Sequence, residues 1–490
     1  MSQPVTIVWF RQDLRLSDHP ALLAAVERAE ADGGVVVPVF IWSPDEEGDW
    51  SPGGARRWWL HHSLKSLGES LEHLGSKLIL REGPTRDVLD DLITKTKADA
   101  VFWSRRYEPA IIERDKKIKH WLRHDRDVLA KSFNSHLLYE PWQVETGGGG
   151  PYKVYTPFWR NTEKQPSPDL PKDRPESIPA PETWPQSAAL DTLGLEPTRD
   201  WKHGLAEAFT PGEAAAHEKL DAFLDDAVRS YQDDRNFPAK PGTSKLSPHL
   251  HHGEISSRQC YHAARKFMAD GRRNLTTDEK KQCETFIKEI VWREFAYHVL
   301  YHFPDTPEQP LQDKYQHFPW KDDTEGFRRW QKGQTGYPIV DAGMRELYAT
   351  GWMHNRVRMI VASFLVKDLL ISWEEGEKWF WDTLVDADLA SNTLGWQWAG
   401  GCGADAAPYF RIFNPVLQGE KFDKHGEYVR QWVPEIAGLS DKVLHKPWEA
   451  KPMELDAAGV TLGETYPRPI VDHKEARNAA LAALDEVKSA

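Results

Sequence analysis

Apolar and amphipathic segments alternate over the first 135 residues of the chain. The apolar segments are short and rich in β-branched and aromatic residues, which favours strands. They are Val5–Phe10, Val35–Trp42, Lys77–Glu82, Ala100–Ser104 and Val128–Asn134. The segments between them, about 10–20 residues long, have the apolar spacing of helices. This order predicts an α/β domain with a doubly wound parallel sheet. No G-x-G-x-x-G follows the first strand, so a dinucleotide-binding domain has little support.

The rest of the chain changes pattern twice. Residues 136–205 contain the run Gly147–Gly150 and recurrent prolines, which predicts a long linker ordered by packing. From residue 206 the pattern is helical, with amphipathic segments near 212–231, 248–269, 278–303, 324–332, 338–350, 353–372 and 375–385. The predicted organisation is therefore an α/β domain over 1–135, the linker, and an all-α domain over 206–490.

Composition predicts a cytoplasmic globular protein. No apolar run approaches the roughly 20 residues that span a bilayer, and the first residues have the pattern of a strand rather than an export signal. The three cysteines stand at no metal-ligand spacing, and their odd number is expected of a reducing compartment. The net charge of −13 argues mildly against nucleic acid, although a local basic stripe would be enough to bind it.

Charged and aromatic residues are crowded between Trp352 and Pro415. A charge placed against tryptophan must find a partner, because an unpaired buried charge is costly. Asp386 and Asp388 lie in a predicted non-helical stretch, where each can reach a different edge of one polar ligand. No histidine or glutamate stands at a supporting spacing, so no metal site is predicted.

Three further motifs suggest binding chemistry. In G-T-S-K-L-S-P, Ser247 is the predicted N-cap of a helix, and hydroxyls beside free N–H groups favour phosphate. An ordinary capped helix is the alternative. In E-I-V-W-R-E-F, Glu289, Trp292 and Arg293 share a helical face. This motif fits either a proton-donating acid beside an indole or a surface Glu–Arg pair. In H-N-R-V-R-M, Asn355, Arg358 and Met359 share a face in the same way.

Six motifs in order resemble the photolyase/cryptochrome flavoproteins. They are G-T-S-K-L-S-P, W-R-E-F, T-G-Y-P-I-V-D-A-G-M-R, G-W-M-H-N-R-V-R-M, D-A-D-L-A-S-N and G-W-Q-W-A. The resemblance runs from Val8 to Arg477 and is greatest to photolyases that repair cyclobutane pyrimidine dimers. It implies light-driven repair by electron transfer from excited reduced FAD to a flipped-out lesion. The alternatives are a cryptochrome-type blue-light receptor, a (6-4) photolyase and a flavin electron carrier that binds no DNA.

The resemblance implies a U-shaped FAD in the helical domain. Arg358 and Asp386 would form a salt bridge beside the isoalloxazine ring, Asp388 would pair with the polar edge of the ring, and Asn392 would face N5. The full implied set is Tyr231, Thr243, Ser244, Lys245, Leu246, Ser247, Phe286, Arg293, Arg358, Asp386, Asp388 and Asn392. Two members depart from the family pattern, because Phe286 stands where many relatives have tryptophan and Lys245 replaces a common arginine.

The resemblance also implies the lesion pocket and an electron relay. The implied catalytic residues are Glu289, Trp292, Asn355, Met359 and Trp398, and the implied DNA contacts are Lys153, Arg235, Arg356, Arg411 and Lys421. The implied relay is Trp396, Trp373 and Trp320. Histidines are expected at positions 355 and 359 in (6-4) photolyases, so the cyclobutane dimer is the preferred lesion. Each basic residue has the alternative of a solvated surface charge.

Three stretches of the first 142 residues resemble the bacterial class III branch nearest plant cryptochromes. They are R-R-W-W-L-H-H-S-L-K-S-L, W-S-R-R-Y-E-P-A and N-S-H-L-L-Y-E-P-W. That branch implies 5,10-methenyltetrahydrofolate as antenna, with 8-hydroxy-5-deazaflavin as the alternative. Trp42, Arg56 and Arg106 are candidates for lining its pocket. A monomer that binds UV-damaged DNA and no membrane is expected.

Overall fold

The computed structural model describes residues 3–197, 201–406 and 411–489. A five-stranded parallel sheet, in the order β3-β2-β1-β4-β5, begins the chain. Its strands are β1 (Val5–Phe10), β2 (Val35–Trp42), β3 (Ile79–Glu82), β4 (Ala100–Ser104) and β5 (Leu129–Phe133). The predicted parallel sheet is confirmed, and each predicted strand end lies within two residues of the observed one.

Helices cover both faces of this sheet. They are α1 (Pro20–Asp32), α2 (Gly54–His73), α3 (Thr85–Thr96) and α4 (Pro109–His124). Val8 and Phe10 pack in one apolar cluster with residues of α1 and α2. Ile7 and Trp9 pack in a second cluster with residues of α3 and α4. Because both faces are covered, β1 and β2 are buried along their whole length and have apolar runs rather than alternation.

The proline-rich linker is held by backbone hydrogen bonds to the sheet domain. The N–H of Val36 donates to Pro179 O at 2.8 Å, and the N–H of Ala188 donates to Leu80 O at 2.8 Å. The linker also contains α5 (Tyr155–Thr162), which packs against a long helix of the C-terminal part, and α6 (Lys202–Ala208) spans its predicted end. The predicted domain boundaries at residues 135 and 205 remain predictions.

The C-terminal part is helical, as predicted. Its helices are α7 (Glu213–Asp225), α8 (Tyr231–Asp234), α9 (Ser247–His252), α10 (Ser257–Ala269), α11 (Thr277–His302), α12 (Thr324–Gln331), α13 (Pro338–Thr350), α14 (Asn355–Ser363), α15 (Trp373–Thr383), α16 (Leu389–Gly400), α17 (Pro415–Phe422), α18 (Glu427–Trp432), α19 (Pro452–Ala457) and α20 (His473–Ser489). A π-helical turn, Phe364–Asp368, extends α14. No helix in these described stretches is long and apolar enough to cross a membrane.

A buried arginine joins the sheet domain to the helical part. Arg15 is fully buried and donates to Gly253 O at 3.0 Å and to both Ser135 O and Ser135 Oγ at 2.8 Å. Beside it, Asp18 accepts hydrogen bonds from Arg258 and from Ser256 Oγ. Removing one partner from such a buried network leaves an unpaired charge, at a cost of about 3–5 kcal/mol.

Candidate active site

Arg358 and Asp386 form the predicted ion pair. Arg358 Nη2 lies 2.8 Å from Asp386 Oδ2 and 3.0 Å from Oδ1, and Arg358 Nε donates to Met353 O at 2.8 Å. The Asp386 side chain is buried, whereas Arg358 is about one-quarter exposed. The salt bridge itself is confirmed. Its place beside a flavin ring remains a prediction.

Asp388 is a fixed buried anion. One oxygen caps α16 by accepting the N–H of Ser391 at 2.8 Å, and the other accepts the Tyr297 hydroxyl. Burial alone would raise the pKa of Asp388, but contacts with His251, Arg293 and Tyr297 hold it well below the usual range of aspartate. The side chain therefore remains an acceptor, as required of a residue that binds N–H groups of a ligand.

The Arg293 side chain extends into the interior and does not pair with Glu289. Its Nη1 donates to His136 O at 3.2 Å, and its Nη2 lies 4.0 Å from Asp388 Oδ2. The expected alternative of a surface Glu289–Arg293 pair is therefore wrong. Positions four apart on a helix are neighbours, so a pair with Glu289 is possible. The interior, however, offers Arg293 the buried Asp388 carboxylate and buried carbonyl oxygens as acceptors, whereas Glu289 is partly exposed.

Glu289 is instead paired with Arg235, which follows α8. The two side chains are 29% and 22% exposed, so the pair lies at a surface. Burial alone would lower the pKa of Arg235, but the charge and hydrogen bond of Glu289, together with Tyr231 and Tyr155, outweigh it and the pKa is raised. The guanidinium also lies 5.5 Å from the ring of Tyr231, which contacts Phe286 edge-on at 5.8 Å. Proton donation by Glu289 remains a prediction.

Trp292 and Trp398, the two indoles implied for the lesion pocket, are both half-buried. Trp292 stacks on Tyr155, with ring centroids 3.6 Å apart and ring planes 9° apart. Trp398 contacts Phe413 at 6.4 Å. Tyr155 belongs to the linker and was missed by sequence reasoning, since the motif Y-T-P-F carries no sign of a ligand site.

Basic residues gather near Glu289. Burial, followed by the charges of Arg235 and Arg411, lowers the pKa of Arg356, so these arginines lie close enough to repel one another. Arg356 donates to Asn236 Oδ1 at 2.6 Å, and both it and Lys421 contact the ring of Phe422, at 4.5 and 5.1 Å. These residues form a local basic stripe of the kind that nucleic-acid binding requires in a protein with a negative net charge.

Lys153, Asn355 and Met359, the remaining residues implied for the pocket and its DNA contacts, lie on two separate segments. Lys153 O accepts the N–H of Asp405 at 2.9 Å, and Lys153 Nζ lies 4.7 Å from the ring of Phe303. Asn355 is the exposed first residue of α14, and Met359 packs one turn later against the core. Residues 407–410, part of the crowded stretch noted in the sequence, lie outside the described residues.

The predicted N-cap at Ser247 is wrong. Helix α9 begins at Ser247 itself, after Leu246, whose side chain has no capping group. The Ser247 hydroxyl accepts Trp352 Nε1–H at 3.3 Å, and Ser244 Oγ accepts the N–H of Leu246 at 3.4 Å. Lys245 has a left-handed φ of 50°, so the loop turns sharply before the helix. Diphosphate binding by this loop, including Thr243, remains a prediction.

Asn392 lies beside a buried acid that sequence reasoning also missed. Its Nδ2 donates to Glu377 O at 3.0 Å, and the Thr393 hydroxyl donates to the Glu377 carboxylate. Burial raises the pKa of Glu377 well above its ordinary value, which favours the protonated acid. Its Oε2 has no partner among the described residues. The only sequence signal was an acidic residue on the apolar face of α15.

Comparison with known proteins decides the family. The model for the FAD binding domain of DNA photolyase matches residues 286–486, and the model for DNA photolyase matches residues 6–181. A deoxyribodipyrimidine photo-lyase of Agrobacterium fabrum is 53% identical over 98% of this chain and 98% of its own length. The chain belongs to the photolyase/cryptochrome family.

Both branches of the photolyase/cryptochrome family are represented among its relatives. Cryptochrome-2 of Arabidopsis thaliana is 40% identical over 99% of this chain and 79% of its own length. A crystal structure of a bacterial class III photolyase from Agrobacterium tumefaciens superimposes with a TM-score of 0.94 at 52% identity, covering 100% of this chain and 99% of that one. The resemblance inferred from the motifs and the predicted fold class are confirmed.

Of the three tryptophans assigned to the photolyase/cryptochrome relay, the first two are buried and the third is half-buried, as expected of a path from core to surface. Trp396 is buried on α16 against Phe380 at 4.9 Å, and its Nε1 has no partner among the described residues. Trp373 is buried at the start of α15. Trp320 is half-buried beside Phe318 at 4.3 Å, where it packs against α20. Electron transfer along this path remains a prediction.

A cleft of about 550 Å³ lies at the carboxyl ends of β1 and β2. All three candidate antenna residues line it: Trp42, Arg56 and Arg106. Arg106 is satisfied by Glu47 at 2.8 Å and Glu108 at 2.7 Å. Arg56, although buried, has two guanidinium nitrogens without partners among the described residues. Ligands of open parallel sheets bind at this end of the strands, so the cleft fits an aromatic ligand that carries acceptor or anionic groups.

Proposed function

We propose that this protein is a deoxyribodipyrimidine photolyase, a carbon–carbon lyase that repairs cyclobutane pyrimidine dimers in DNA under light. The observation that carries the proposal is the surface that joins an acid and an indole on one face of α11 to a basic rim. Glu289 and Trp292 supply the first part, and Arg235, Arg356 and Arg411 supply the second. The 53% identity to a protein named deoxyribodipyrimidine photo-lyase supports it.

FAD is the proposed resident cofactor, and when bound it supplies the light-driven electron donor. The donor set on this chain fits such a group, because Trp396 Nε1, Glu377 Oε2 and His251 Nε2 are buried without hydrogen-bond partners among the described residues. Asp388 would accept N–H groups of the ring, and the Arg358–Asp386 pair would neutralise charge at its side. The loop of Thr243, Ser244, Lys245, Leu246 and Ser247 would hold the diphosphate, next to Tyr231 and Phe286.

The neutral amide of Asn392 suits a place near a ring nitrogen that changes its charge. It adds no negative charge to the site, and burial favours the protonated form of Glu377 beside it. Both residues therefore leave Asp388 and Asp386 as the anions of the site, each already matched by an arginine within 4.0 Å. The site is electrostatically prepared for a ligand that gains negative charge.

The lesion would enter between the indoles of Trp292 and Trp398, with Asn355 and Met359 along the wall. Glu289 would bind a polar edge of the extruded bases, and the rim residues, including Lys153 and Lys421, would contact phosphates. A damaged pair is poorly stacked, so its extrusion costs less than that of an intact pair. This difference contributes to selectivity before any base contact is made.

The cleft of the sheet domain is the proposed antenna site. Indoles at Trp9 and Trp42 provide flat apolar walls, and the unpaired nitrogens of Arg56 provide donors for an anionic group. We propose 5,10-methenyltetrahydrofolate, which has a flat ring and a carboxylate tail, as the occupant, with 8-hydroxy-5-deazaflavin as the alternative. The absorption spectrum of the purified protein and of its extracted pigments distinguishes them. We further propose a cytoplasmic monomer.

A cryptochrome-type receptor is the second candidate, favoured by the 40% identity to Arabidopsis cryptochrome-2. The presence of Glu289, Asn355, Met359 and Trp398 together favours the enzyme. The deciding experiment illuminates purified protein, with flavin chemically reduced, together with an oligonucleotide carrying one cyclobutane dimer. Loss of the dimer in light but not in darkness supports repair. Binding without loss supports the receptor, and loss only from a (6-4)-lesion oligonucleotide supports the related photolyase.

A further inference from the structure

The linker residue Tyr155 covers one face of the Trp292 indole. The two rings are nearly parallel at 9°, with centroids 3.6 Å apart, which is the closest ring contact among the described residues. Tyr155 is 8% exposed, whereas Trp292 is half-buried. A ligand can therefore reach Trp292 but not Tyr155, and the stacked face of the indole is closed to it.

Hydrogen bonds fix Tyr155 at both ends. Its hydroxyl donates to Lys288 O at 2.7 Å, and its N–H donates to Asp405 Oδ1 at 3.1 Å. Lys288 precedes Trp292 by four residues, so its carbonyl is the one that accepts the Trp292 N–H in a regular α-helix. The tyrosine is thus attached to the same turn of α11 that carries the indole it stacks on.

The same short segment carries Lys153, one of the implied DNA contacts. Asp405, which holds the Tyr155 backbone, donates its own N–H to Lys153 O at 2.9 Å, and its left-handed φ of 49° makes this a tight bracket. Val154, between Lys153 and Tyr155 in the chain, is 48% exposed. This segment of the linker therefore packs against Trp292 through Tyr155 and also carries Lys153, an implied phosphate contact.

We propose that Tyr155 is a positioning residue for lesion recognition, which holds the Trp292 indole in the plane required to stack on an extruded pyrimidine dimer. This inference rests on the proposed function. Parallel aromatic contact restricts the indole at little further cost, and ordering one such side chain in advance changes affinity by about twofold to tenfold. The gain applies only to a ligand that stacks on Trp292, so undamaged duplex should not benefit.

The test compares full-length, FAD-loaded Tyr155→Met and Tyr155→Phe with the wild type. Met fills the space without a ring, and Phe keeps the ring but loses the bond to Lys288 O. The affinity of each for dimer-containing and for undamaged oligonucleotides is measured at one stated salt concentration. We expect Tyr155→Met to weaken dimer binding about fivefold to tenfold and to leave undamaged DNA within about twofold. Tyr155→Phe keeps the ring and should discriminate between the two oligonucleotides about as well as the wild type does. Tyr139→Met, in the same linker, is the matched control and should match the wild type.

A second measurement tests whether Tyr155 acts through the indole, and Tyr155→Leu replaces Tyr155→Met in both experiments if the methionine variant loses flavin or folds poorly. In the background of Trp292→Leu, Tyr155→Phe and Tyr155→Met should cause no further loss of discrimination, because Tyr155 acts through the indole. Unchanged discrimination in Tyr155→Met, equal loss for both DNAs, or an additive loss in the double variant would each overturn the proposal. If the wild type itself fails to discriminate, the proposed function fails instead.

Discussion

Arg235 is ion-paired with Glu289, so two residues assigned to different parts of the DNA neutralise each other in the free protein. Both side chains are partly exposed, and a pair of this kind contributes about 1 kcal/mol or less. The pair is therefore weak enough to exchange partners when DNA arrives. Arg235 can move to a phosphate while Glu289 turns to a base.

This exchange predicts an unusual salt dependence. Each new phosphate contact adds about 0.9 to the slope of log affinity against log salt concentration. Arg235 already has an anionic partner, so Arg235→Gln should lower the slope by much less than one in the wild type, but by about one in a Glu289→Gln background. Arg356→Gln, whose residue is hydrogen-bonded to neutral Asn236, should lower the slope by about one in both.

Titrations of a dimer-containing oligonucleotide over roughly 50–200 mM salt measure these slopes. Equal effects of Arg235→Gln in both backgrounds would contradict the exchange of partners. An unchanged slope for Arg356→Gln would instead show that the basic rim does not contact phosphate.

Trp396→Phe should separate flavin photoreduction from repair. The indole Nε1 has no hydrogen-bond partner among the described residues, so phenylalanine removes the oxidisable ring without leaving a protein group unpaired. We expect photoreduction of oxidised FAD to fall at least tenfold (about 1.4 kcal/mol in the barrier), while repair with chemically reduced flavin stays within about twofold. Absorbance under blue light and a dimer-loss assay measure the two. Loss of both activities would disprove the relay assignment.

Gly376→Ala should displace the same tryptophan. A Cβ at position 376 would overlap the six-membered ring of Trp396, and such overpacking costs about 1–3 kcal/mol. Gly395→Ala on α16 is the matched control, because nothing lies within 4 Å of its Cβ and alanine favours helix by about 1 kcal/mol. Thermal unfolding should show a lower midpoint for the first variant and an equal or higher one for the second. Equal midpoints would mean that α15 and α16 can separate without cost.

Glu294 should give the fold a pH dependence. Burial, opposed by Arg293, raises its pKa to about 7. The native state therefore keeps a proton that the unfolded chain releases near the ordinary glutamate pKa of about 4.3. This contribution to the free energy of unfolding is complete below that pH and is lost as the pH rises through about 7.

Glu294→Gln should remove that contribution while keeping an acceptor for the Leu138 N–H, which lies 2.8 Å from Glu294 Oε2 in the wild type. The stability of the wild type relative to the variant should fall between about pH 5 and pH 7.5, by about 1.4 kcal/mol per pKa unit. Urea unfolding at the two pH values measures it. The exposed Glu30→Gln should follow the wild type, and a parallel course for Glu294→Gln would show that the acid is ionised throughout.

The sheet could be predicted from sequence because its strands are buried on both faces and have unbroken apolar runs. Helix α16 could not, although it carries Asn392, Trp396 and Trp398. Eight of its residues are buried, and its open face carries Ser391, Leu394, Gly395 and Trp398. This face is mostly non-polar, so the chain shows no polar stripe to indicate the period of a helix. The predicted helix over 212–231 similarly breaks after Asp225 into a short 3-10 turn and α8.

The site residues came from motifs, whereas their partners came from the fold. The Arg358–Asp386 pair was expected, but the Glu289–Arg235 pair joins positions 54 residues apart that have no shared motif. Tyr155 and Glu377 were missed for the same reason, since each acts on a residue distant in sequence. Spacing indicates which groups share a helix face, but it does not indicate which second element packs on that face.

The hydrogen bonds of Arg15 to Gly253 and Ser135 have a consequence for light harvesting. They clamp the strand domain and the helical part together through groups that solvent does not reach. Two pigments seated on either side of such a clamp would keep a constant separation and mutual orientation. Excitation would then pass between them with one uniform efficiency, the same in every molecule of the population.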